Sequence, residues 1–201
     1  MTAGGSNMSK FVENFDTDNE YLTIPDGFKE VAHDTRSRNG EDVEVVRYQQ
    51  SDKIVQNNPH VTVVYGDDGR LISYNNFSVD SPDALPDDTE AVDIAVNVFD
   101  SLDSEYAEEL SLMRIDEQER LFINDDGDEV ATPILWVKFA HMNGSYNWVS
   151  VGPAGQVIEF ERESMWDYGQ SRRATEEWND DDWVAAREHR GPQLSAPSAL
   201  A

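Results

Sequence analysis

The 201-residue chain contains no cysteine, which excludes disulfides and thiolate metal sites. It is also poor in basic residues, since 15 lysines and arginines stand against 41 aspartates and glutamates and the formal net charge is −26. A surface of this charge repels nucleic-acid phosphate and anionic membrane, so we expect neither as a partner. Long apolar runs are missing as well, and none approaches the ~18–20 residues needed to cross a bilayer.

The acidic composition leaves three explanations open. The first is a solvated surface kept soluble by self-repulsion, as in a salty or acidic-proteome host. The second is docking to a basic protein partner. The third is DNA mimicry, which needs ordered carboxylates at phosphate-like spacing and fits least well, because the acids here are scattered through loop-rich segments.

The N-terminus, Met1–Asn7, has neither the basic region nor the apolar core of a signal peptide. From the sequence as written we therefore expect a cytoplasmic protein, or an exported one if a leader is missing.

Catalytic motifs are scarce too. The chain has no Gly-x-Ser-x-Gly elbow and no phosphate-binding Gly-x-x-x-x-Gly-Lys-Ser/Thr loop. Carboxylate pairs suited to glycoside hydrolysis arise by chance in so acidic a chain and indicate nothing. The sequence therefore predicts no catalytic residue and no cofactor. Four isolated histidines in four different contexts form no zinc-binding pair at helical spacing: His33, His60, His141 and His189.

One acidic loop offers a weak metal candidate. Asp125, Asp126 and Asp128 surround Gly127 and supply the hard oxygens that calcium prefers. The loop does not fit an EF-hand, because Gly127 at the sixth position would put Phe122 at the first. Asp and Gly both favour turns, so we interpret the loop as a hairpin connection and expect at most adventitious calcium there.

Residues 131–160 form the stretch around which the chain is organised. Two β-rich runs, Ile134–His141 and Tyr146–Val151, flank Asn143-Gly144, a strong hairpin signal because both residues tolerate a positive φ. A second turn over 152–155 leads to a third strand over 156–161. The stretch therefore predicts an antiparallel meander. If Asn143 and Gly144 form the turn, the facing pairs are Phe139 with Trp148, His141 with Tyr146 and Trp136 with Val151.

The strongest helix prediction covers Asp88–Leu102. Asp87 or Asp88 would cap it, and one apolar stripe should lie on a sheet. We therefore predict an α+β fold in which antiparallel β-meanders pack on a central helix, with short N- and C-terminal helices. The stripe consists of Ala91, Ala95, Val98 and Leu102.

Two further segments carry specific predictions. Phe28–Thr35 should be a short helix with Phe28, Val31 and Ala32 on one face. Leu110–Ile115 and Leu121–Ile123 should be short strands separated by a charged turn. The order of segments divides the chain into a flexible N-terminus (1–20), a β-meander subdomain (21–80), the helix with its antiparallel sheet (81–162), an aromatic and helical C-terminal segment (163–190) and a disordered tail (191–201).

Aromatic residues cluster near the C-terminus. Their default use is to dock the C-terminal segment on the body, and the alternative is an exposed patch that binds a protein partner. The candidate partner-binding residues are Trp166, Tyr168, Trp178 and Trp183.

Part of the chain resembles a known family. Arg47-Tyr48-Gln49-Gln50, followed by Ile54-Val55 and a hairpin around Asp67-Asp68-Gly69, resembles the propeptide module of thermolysin- and fungalysin-type peptidases. The helix over 88–102 and the meander with the turn over 152–155 resemble a PepSY domain. Together the matches span about residues 43–161. The resemblance implies a PepSY/cystatin-like fold and a non-catalytic module that binds, inhibits or assists the folding of a peptidase or another exported protein.

Our leading hypothesis from the sequence is accordingly a non-enzymatic, acidic protein-binding or regulatory module, either a peptidase inhibitor or a propeptide-like folding assistant. Two alternatives stay open. One is a halophile-type acidic domain whose charge concerns solvation only. The other is a small enzyme whose carboxylate chemistry the sequence does not identify.

Overall fold

The computed structural model describes residues 10–14 and 17–201, with side chains from Asn19 onward. Of the predicted flexible N-terminus 1–20, residues 1–9 and 15–16 lie outside the described residues. No helix in the described part is long and apolar enough to cross a membrane. The described strands are β1 (Lys10–Asn14), β2 (Thr17–Ile24), β3 (Lys29–Arg38), β4 (Glu41–Gln49), β5 (His60–Tyr65), β6 (Leu71–Phe77), β7 (Leu110–Ile123), β8 (Glu129–His141), β9 (Tyr146–Val151), β10 (Val157–Ser164), β11 (Trp166–Asp167) and β12 (Arg172–Arg173), and the helices are α1 (Asp88–Leu102), α2 (Ser104–Glu108) and α3 (Asp181–Arg187).

One antiparallel sheet of eight strands organises the molecule, in the order β3-β4-β5-β6-β10-β9-β8-β7. It joins two meanders, β3 to β6 and β7 to β10, through the pairing of β6 with β10, where Tyr74 lies opposite Phe160. Strands β1 and β2 form a separate hairpin, and β11 pairs with β12.

This architecture corrects the predicted fold class. An α+β fold with meanders packed on a central helix is wrong, because the structure is mostly antiparallel β, with 45% strand and 16% helix. The prediction placed the helix at the centre, with the meanders packed on it. In the structure the two meanders join each other directly, and α1 covers part of one face of the combined sheet.

The predicted helix Phe28–Thr35 is instead the edge strand β3. It pairs with β4 from Lys29 opposite Gln49 to Arg38 opposite Glu41. The connecting turn is Asn39-Gly40, with φ of 52° and 83°. An isolated helix of eight residues is marginal in water. As a strand, the same segment forms backbone hydrogen bonds with β4 along the length of β3.

The two short strands predicted around residues 116–119 are one continuous strand, β7. It pairs with β8 from Leu110 opposite His141 to Ile123 opposite Glu129. The charged residues that suggested a turn lie on an edge strand, where charge is common because it discourages pairing with another chain.

Helix α1 has the bounds that the sequence predicts. Asp87 caps it by accepting a hydrogen bond from the Glu90 amide at 2.9 Å. The predicted stripe is buried, and Phe99 joins it with 2% of its surface exposed. Phe99 packs against Phe139 and Phe160, with ring centroids 5.6 Å and 5.0 Å apart. The main core therefore lies between α1 and the sheet.

Replacing Asp87 by alanine should lower the free energy of unfolding by about 1 kcal/mol, because the Glu90 amide loses its cap and the helix N-terminus loses a negative charge. Urea unfolding of the variant measures this. Asp93→Ala, on the exposed side of the same helix, is the matched control and should change stability by less than about 0.5 kcal/mol. Equal losses in the two variants would contradict the assignment of the cap.

The face of the sheet opposite α1, called the groove face below, is strongly curled. Three strands separate β3 from β10, so in a flat sheet the two would lie about 19 Å apart. Arg38 at the end of β3 nevertheless donates from Nη2 to Glu161 Oε1 on β10 at 2.8 Å. Arg173 donates to the same oxygen at 2.6 Å. The sheet therefore folds over a buried ionic cluster of Arg38, Glu161 and Arg173, called the Glu161 cluster.

The chain after β10 covers part of the groove face. Asp180 caps α3, and Trp183 in its first turn is fully buried. The indole N–H of Trp183 donates to the Ala199 carbonyl at 3.1 Å. Arg172 donates to the carbonyl oxygens of Leu194 and Ser198 at 2.9 Å and 2.8 Å. In the structure, the segment for which the sequence predicts disorder is thus hydrogen-bonded to the C-terminal segment that precedes it.

Candidate binding groove on the curled face

A cavity of about 660 Å³ lies between the groove face and the C-terminal segment. Its floor is formed largely by side chains from β7, β8 and β9, and Trp166, Glu177 and Asp180 of the C-terminal segment line the opposite side. We call this cavity the groove. Its volume falls within the range of about 300–1,000 Å³ that is usual for small-molecule sites.

The aromatic floor of the groove depends on the register of the β8–β9 hairpin. Trp136 pairs with Ser150 and Lys138 pairs with Trp148, so Trp136, Lys138 and Trp148 share one face of the sheet. The two indole centroids are 5.5 Å apart. The predicted pairs Phe139–Trp148, His141–Tyr146 and Trp136–Val151 are each wrong by one residue.

The reason for the error is the length of the loop. The amide of His141 bonds to the Ser145 carbonyl at 3.0 Å, so the loop contains Met142, Asn143 and Gly144 instead of two residues. Gly144 takes the left-handed conformation, with φ of 88°, that such three-residue loops require. A slip of one residue moves every side chain of a strand to the other face. The predicted register would have placed the two tryptophans on opposite faces.

Lys138 lies among the aromatic rings of the groove. Its Nζ is 4.2 Å from the Tyr146 ring centroid and 5.2 Å from that of Trp136. Burial, and next the positive charge of Arg114, lowers the pKa of Lys138. The other cations that line the groove are paired: Arg114 with Asp116 at 2.9 Å, Arg120 with Glu159 at 2.6 Å and Arg173 with Glu161 at 2.6 Å. Within the described chain, Lys138 has no carboxylate at ion-pair distance.

Glu159 of β10 also lines the groove, and its carboxylate is already hydrogen-bonded. Glu159 accepts from Arg120 Nε at 2.6 Å and Nη2 at 2.9 Å, and from the Ser150 hydroxyl. Glu159 is 5% exposed, and all three bonds come from side chains of the groove face. Such a carboxylate is held in place as a structural ion-pair partner.

His60 lies at the other end of the groove, on β5. Its Nδ1 is 2.5 Å from the Asn58 carbonyl oxygen and therefore carries the proton. Burial, and next the Arg47 guanidinium, lowers the pKa of His60 to about 4, so the ring is neutral at pH 7. Its Nε2 is then an acceptor, and it lies 3.9 Å from Asp181 Oδ1, another acceptor. Asp181 itself pairs with Arg47 at 2.6 Å.

Two of the buried polar atoms on residues that line the groove have no hydrogen-bond partner among the described residues. They are the donor Trp136 Nε1 and the acceptor His60 Nε2. A buried polar atom without a partner costs about 1–3 kcal/mol. Both atoms are covered by protein, so the fold itself bears this cost.

The four candidate partner-binding residues have different environments. Trp166 lines the groove. Tyr168 is 74% exposed, and its hydroxyl lies 2.7 Å from that of Tyr146. Trp178 is half-buried, donates to the Ser37 carbonyl and packs edge-on against the fully buried Trp183. The structure thus uses Trp178 and Trp183 to dock the C-terminal segment.

The weak calcium candidate is a tight hairpin turn. The Asn124 side chain accepts from the amides of Asp126 and Asp128 at 3.0 Å and 2.8 Å. Within residues 10–14 and 17–201, no group of three or more acidic or histidine side chains could hold a metal ion. Asp125, Asp126 and Asp128 therefore form no such group.

Sequence reasoning did not identify Lys138 or His60 as groove residues. A signal for Lys138 was available: it is the one lysine after residue 53, and it interrupts the apolar run around Val137 and Phe139. No comparable signal marks His60, because its partners Arg47 and Asp181 are distant in sequence.

Neither a scan against models of protein families nor searches of curated proteins and of solved structures find a match to this chain. The similarity to PepSY and propeptide modules therefore remains a prediction that rests on the residues quoted for it.

Proposed function

We propose that this protein is a non-catalytic binding module and that the groove is its binding site. The observation that carries the proposal is the combination of a cavity of small-molecule size with aromatic walls and one cation, Lys138, that has no carboxylate at ion-pair distance among the described residues. Sites for small molecules usually combine apolar and aromatic walls with a few polar groups.

The state of the titratable groups supports binding over catalysis. Glu159 and Asp181 are each occupied in ion pairs with arginine, and His60 with its lowered pKa is a weak base. Burial raises the pKa of Glu177 and of Asp180, which also line the groove, but both carboxyls accept from backbone amides, Glu177 from Ala199 and Asp180 from Asp182 and Trp183. A general base works best with a pKa near the operating pH. These groups are better suited to shaping and positioning than to proton transfer.

A protein partner, and a peptidase in particular, is a separate proposal that rests on the acidic composition and on the resemblance. The dimensions of the groove favour a small molecule, since protein interfaces typically bury about 800 Å² on each side and are flatter.

A ligand-observed NMR screen of neutral and charged fragments tests the function. We expect binders whose affinity falls about fivefold or more in Trp148→Leu, because the aromatic wall contributes stacking as well as buried area. Phe28→Ala is the matched control, since Phe28 packs on the opposite side of the sheet with the main core. The affinities of this variant for the same fragments should stay within twofold of those of the wild type.

Two outcomes would refute the proposed function. One is a screen without any binder to the folded protein. The other is a set of fragments whose affinities change equally in Trp148→Leu and Phe28→Ala, because such fragments would bind outside the groove. A substrate consumed during the screen would instead support the enzyme hypothesis.

A further inference from the structure

Resting on this proposed function, we infer that the groove takes a monocarboxylate attached to a planar ring, with the carboxylate held by Lys138 and the ring between the aromatic walls.

Lys138 is the cationic side chain that faces the aromatic residues of the groove. It shares one face of the sheet with Trp136 and Trp148, and its Nζ lies 4.2 Å from the Tyr146 ring centroid and 5.2 Å from that of Trp136. Among the described residues no carboxylate lies at ion-pair distance from it. An ammonium group in this position is a donor that calls for an acceptor, and a carboxylate supplies two acceptor oxygens.

The local charge around Lys138 is positive. Arg114 lies opposite Lys138 in the β7–β8 ladder, and its guanidinium lies over the Trp136 ring, 5.5 Å from the centroid. Burial and next the charge of Arg114 lower the pKa of Lys138, and Asp116, which pairs with Arg114, acts in the opposite direction. A ligand carboxylate beside Lys138 would act in the same direction as Asp116.

The acidic groups around the groove limit the charge of the ligand. Seven carboxylates and four cations line it, so the lining repels further negative charge, whereas the long-range field of the net charge of −26 is screened beyond about 8 Å at physiological ionic strength. A polyanion such as a nucleotide triphosphate would place charge near Glu119 and Asp182 as well as near Lys138. The site therefore accepts at most a single negative charge, at Lys138.

The rest of the ligand would contact aromatic side chains. Tyr146, Trp148 and Trp166 line the same groove as Lys138. Aromatic side chains prefer offset-stacked or edge-on contacts with other rings and bury large areas. A planar ring fits these walls better than a flexible chain, which would lose more conformational freedom on binding.

The test compares 2-naphthoate with its neutral counterpart 2-naphthamide, by calorimetry on the full chain. The wild type should bind the carboxylate at least about tenfold more tightly than the amide, because charge-assisted hydrogen bonds are stronger than neutral ones. Lys138→Met should weaken 2-naphthoate about tenfold or more and leave 2-naphthamide within twofold. Lys138→Arg should keep the preference for the carboxylate.

The outcomes separate the two proposals. If both probes bind equally and Lys138→Met changes neither, the ligand class is wrong while the groove remains a binding site. If neither probe binds and the fragment screen is also empty, both proposals fail. If neither binds but other fragments bind in the groove, only the ligand class fails. Should Lys138→Met not fold, Lys138→Gln takes its place with the same expectations.

Discussion

Replacing Glu161 by glutamine should lower the free energy of unfolding by about 3–5 kcal/mol, the loss expected when one member of a buried ionic cluster is removed. Glu161 and Arg38 are each 2% exposed and Arg173 is 9% exposed, all as side chains. Both arginines donate to the same carboxylate oxygen, at 2.8 Å and 2.6 Å. The variant leaves buried Arg38 without a carboxylate partner and Arg173 with only Glu177, 3.4 Å away. The loss follows from the positive charge that is no longer compensated.

Urea unfolding at neutral pH measures the effect. Glu44→Gln is the matched control, because Glu44 belongs to a half-exposed pair with His33 and should cost about 1 kcal/mol or less. A second variant that replaces Arg38, Glu161 and Arg173 by Met, Leu and Met should recover much of the stability, since apolar residues often replace a buried ionic cluster without loss. A Glu161→Gln loss no larger than that of Glu44→Gln would contradict the description of the curled sheet.

Lowering the pH from 7.5 to 4.5 should destabilise the wild type relative to His60→Gln by about 2–3 kcal/mol. Burial, and next Arg47, lowers the pKa of His60 from 6.5 to about 4 in the folded protein. Below pH 6.5 the unfolded chain therefore binds a proton that the folded chain does not. The stability that the neutral His60 provides is complete above pH 6.5 and is lost as the pH falls toward 4. The full difference is about 3 kcal/mol.

Other titratable groups change the free energy of unfolding over the same pH range in the opposite direction. Burial raises the pKa of Glu177 and of Asp180, so acidification stabilises the fold through these two carboxyls. The comparison with His60→Gln removes their contribution, because both proteins contain them. The measurement is the free energy of unfolding in urea at several pH values. Val61→Ala, on the same strand, should lower stability by a constant amount at every pH. Parallel pH curves for wild type and His60→Gln would show that His60 is not held neutral.

The β8–β9 hairpin shows how far sequence reasoning reaches toward the site. The composition of the two strands and the Asn143-Gly144 signal predict that a hairpin exists and where it turns. They do not distinguish a loop of two residues from one of three, because both place Gly144 at a positive φ. The one additional loop residue decides whether Trp136 and Trp148 share a face of the sheet. The groove therefore could not be predicted without the register.

The curled face was beyond sequence reasoning for a different reason. Arg38 and Glu161 are 123 residues apart, and Arg47 and Asp181 are 134 residues apart. Pairs at such separations leave no local pattern, because each residue alone looks like ordinary surface charge in an acidic chain. Trp183 likewise suggests either docking or an exposed patch until its contact with Ala199 is known.

The sequence by itself determined the features that depend on neighbours along the chain. Helix α1 with its cap and buried stripe follows from residues within a few turns of one another, and the turns follow from residues that tolerate a positive φ. Only the tertiary structure decided that residues 29–38 form a strand, that the two meanders join through β6 and β10, and that the C-terminal segment closes over the groove face. These features depend on hydrogen bonds and ion pairs between distant segments, which compete with local preference and here exceed it.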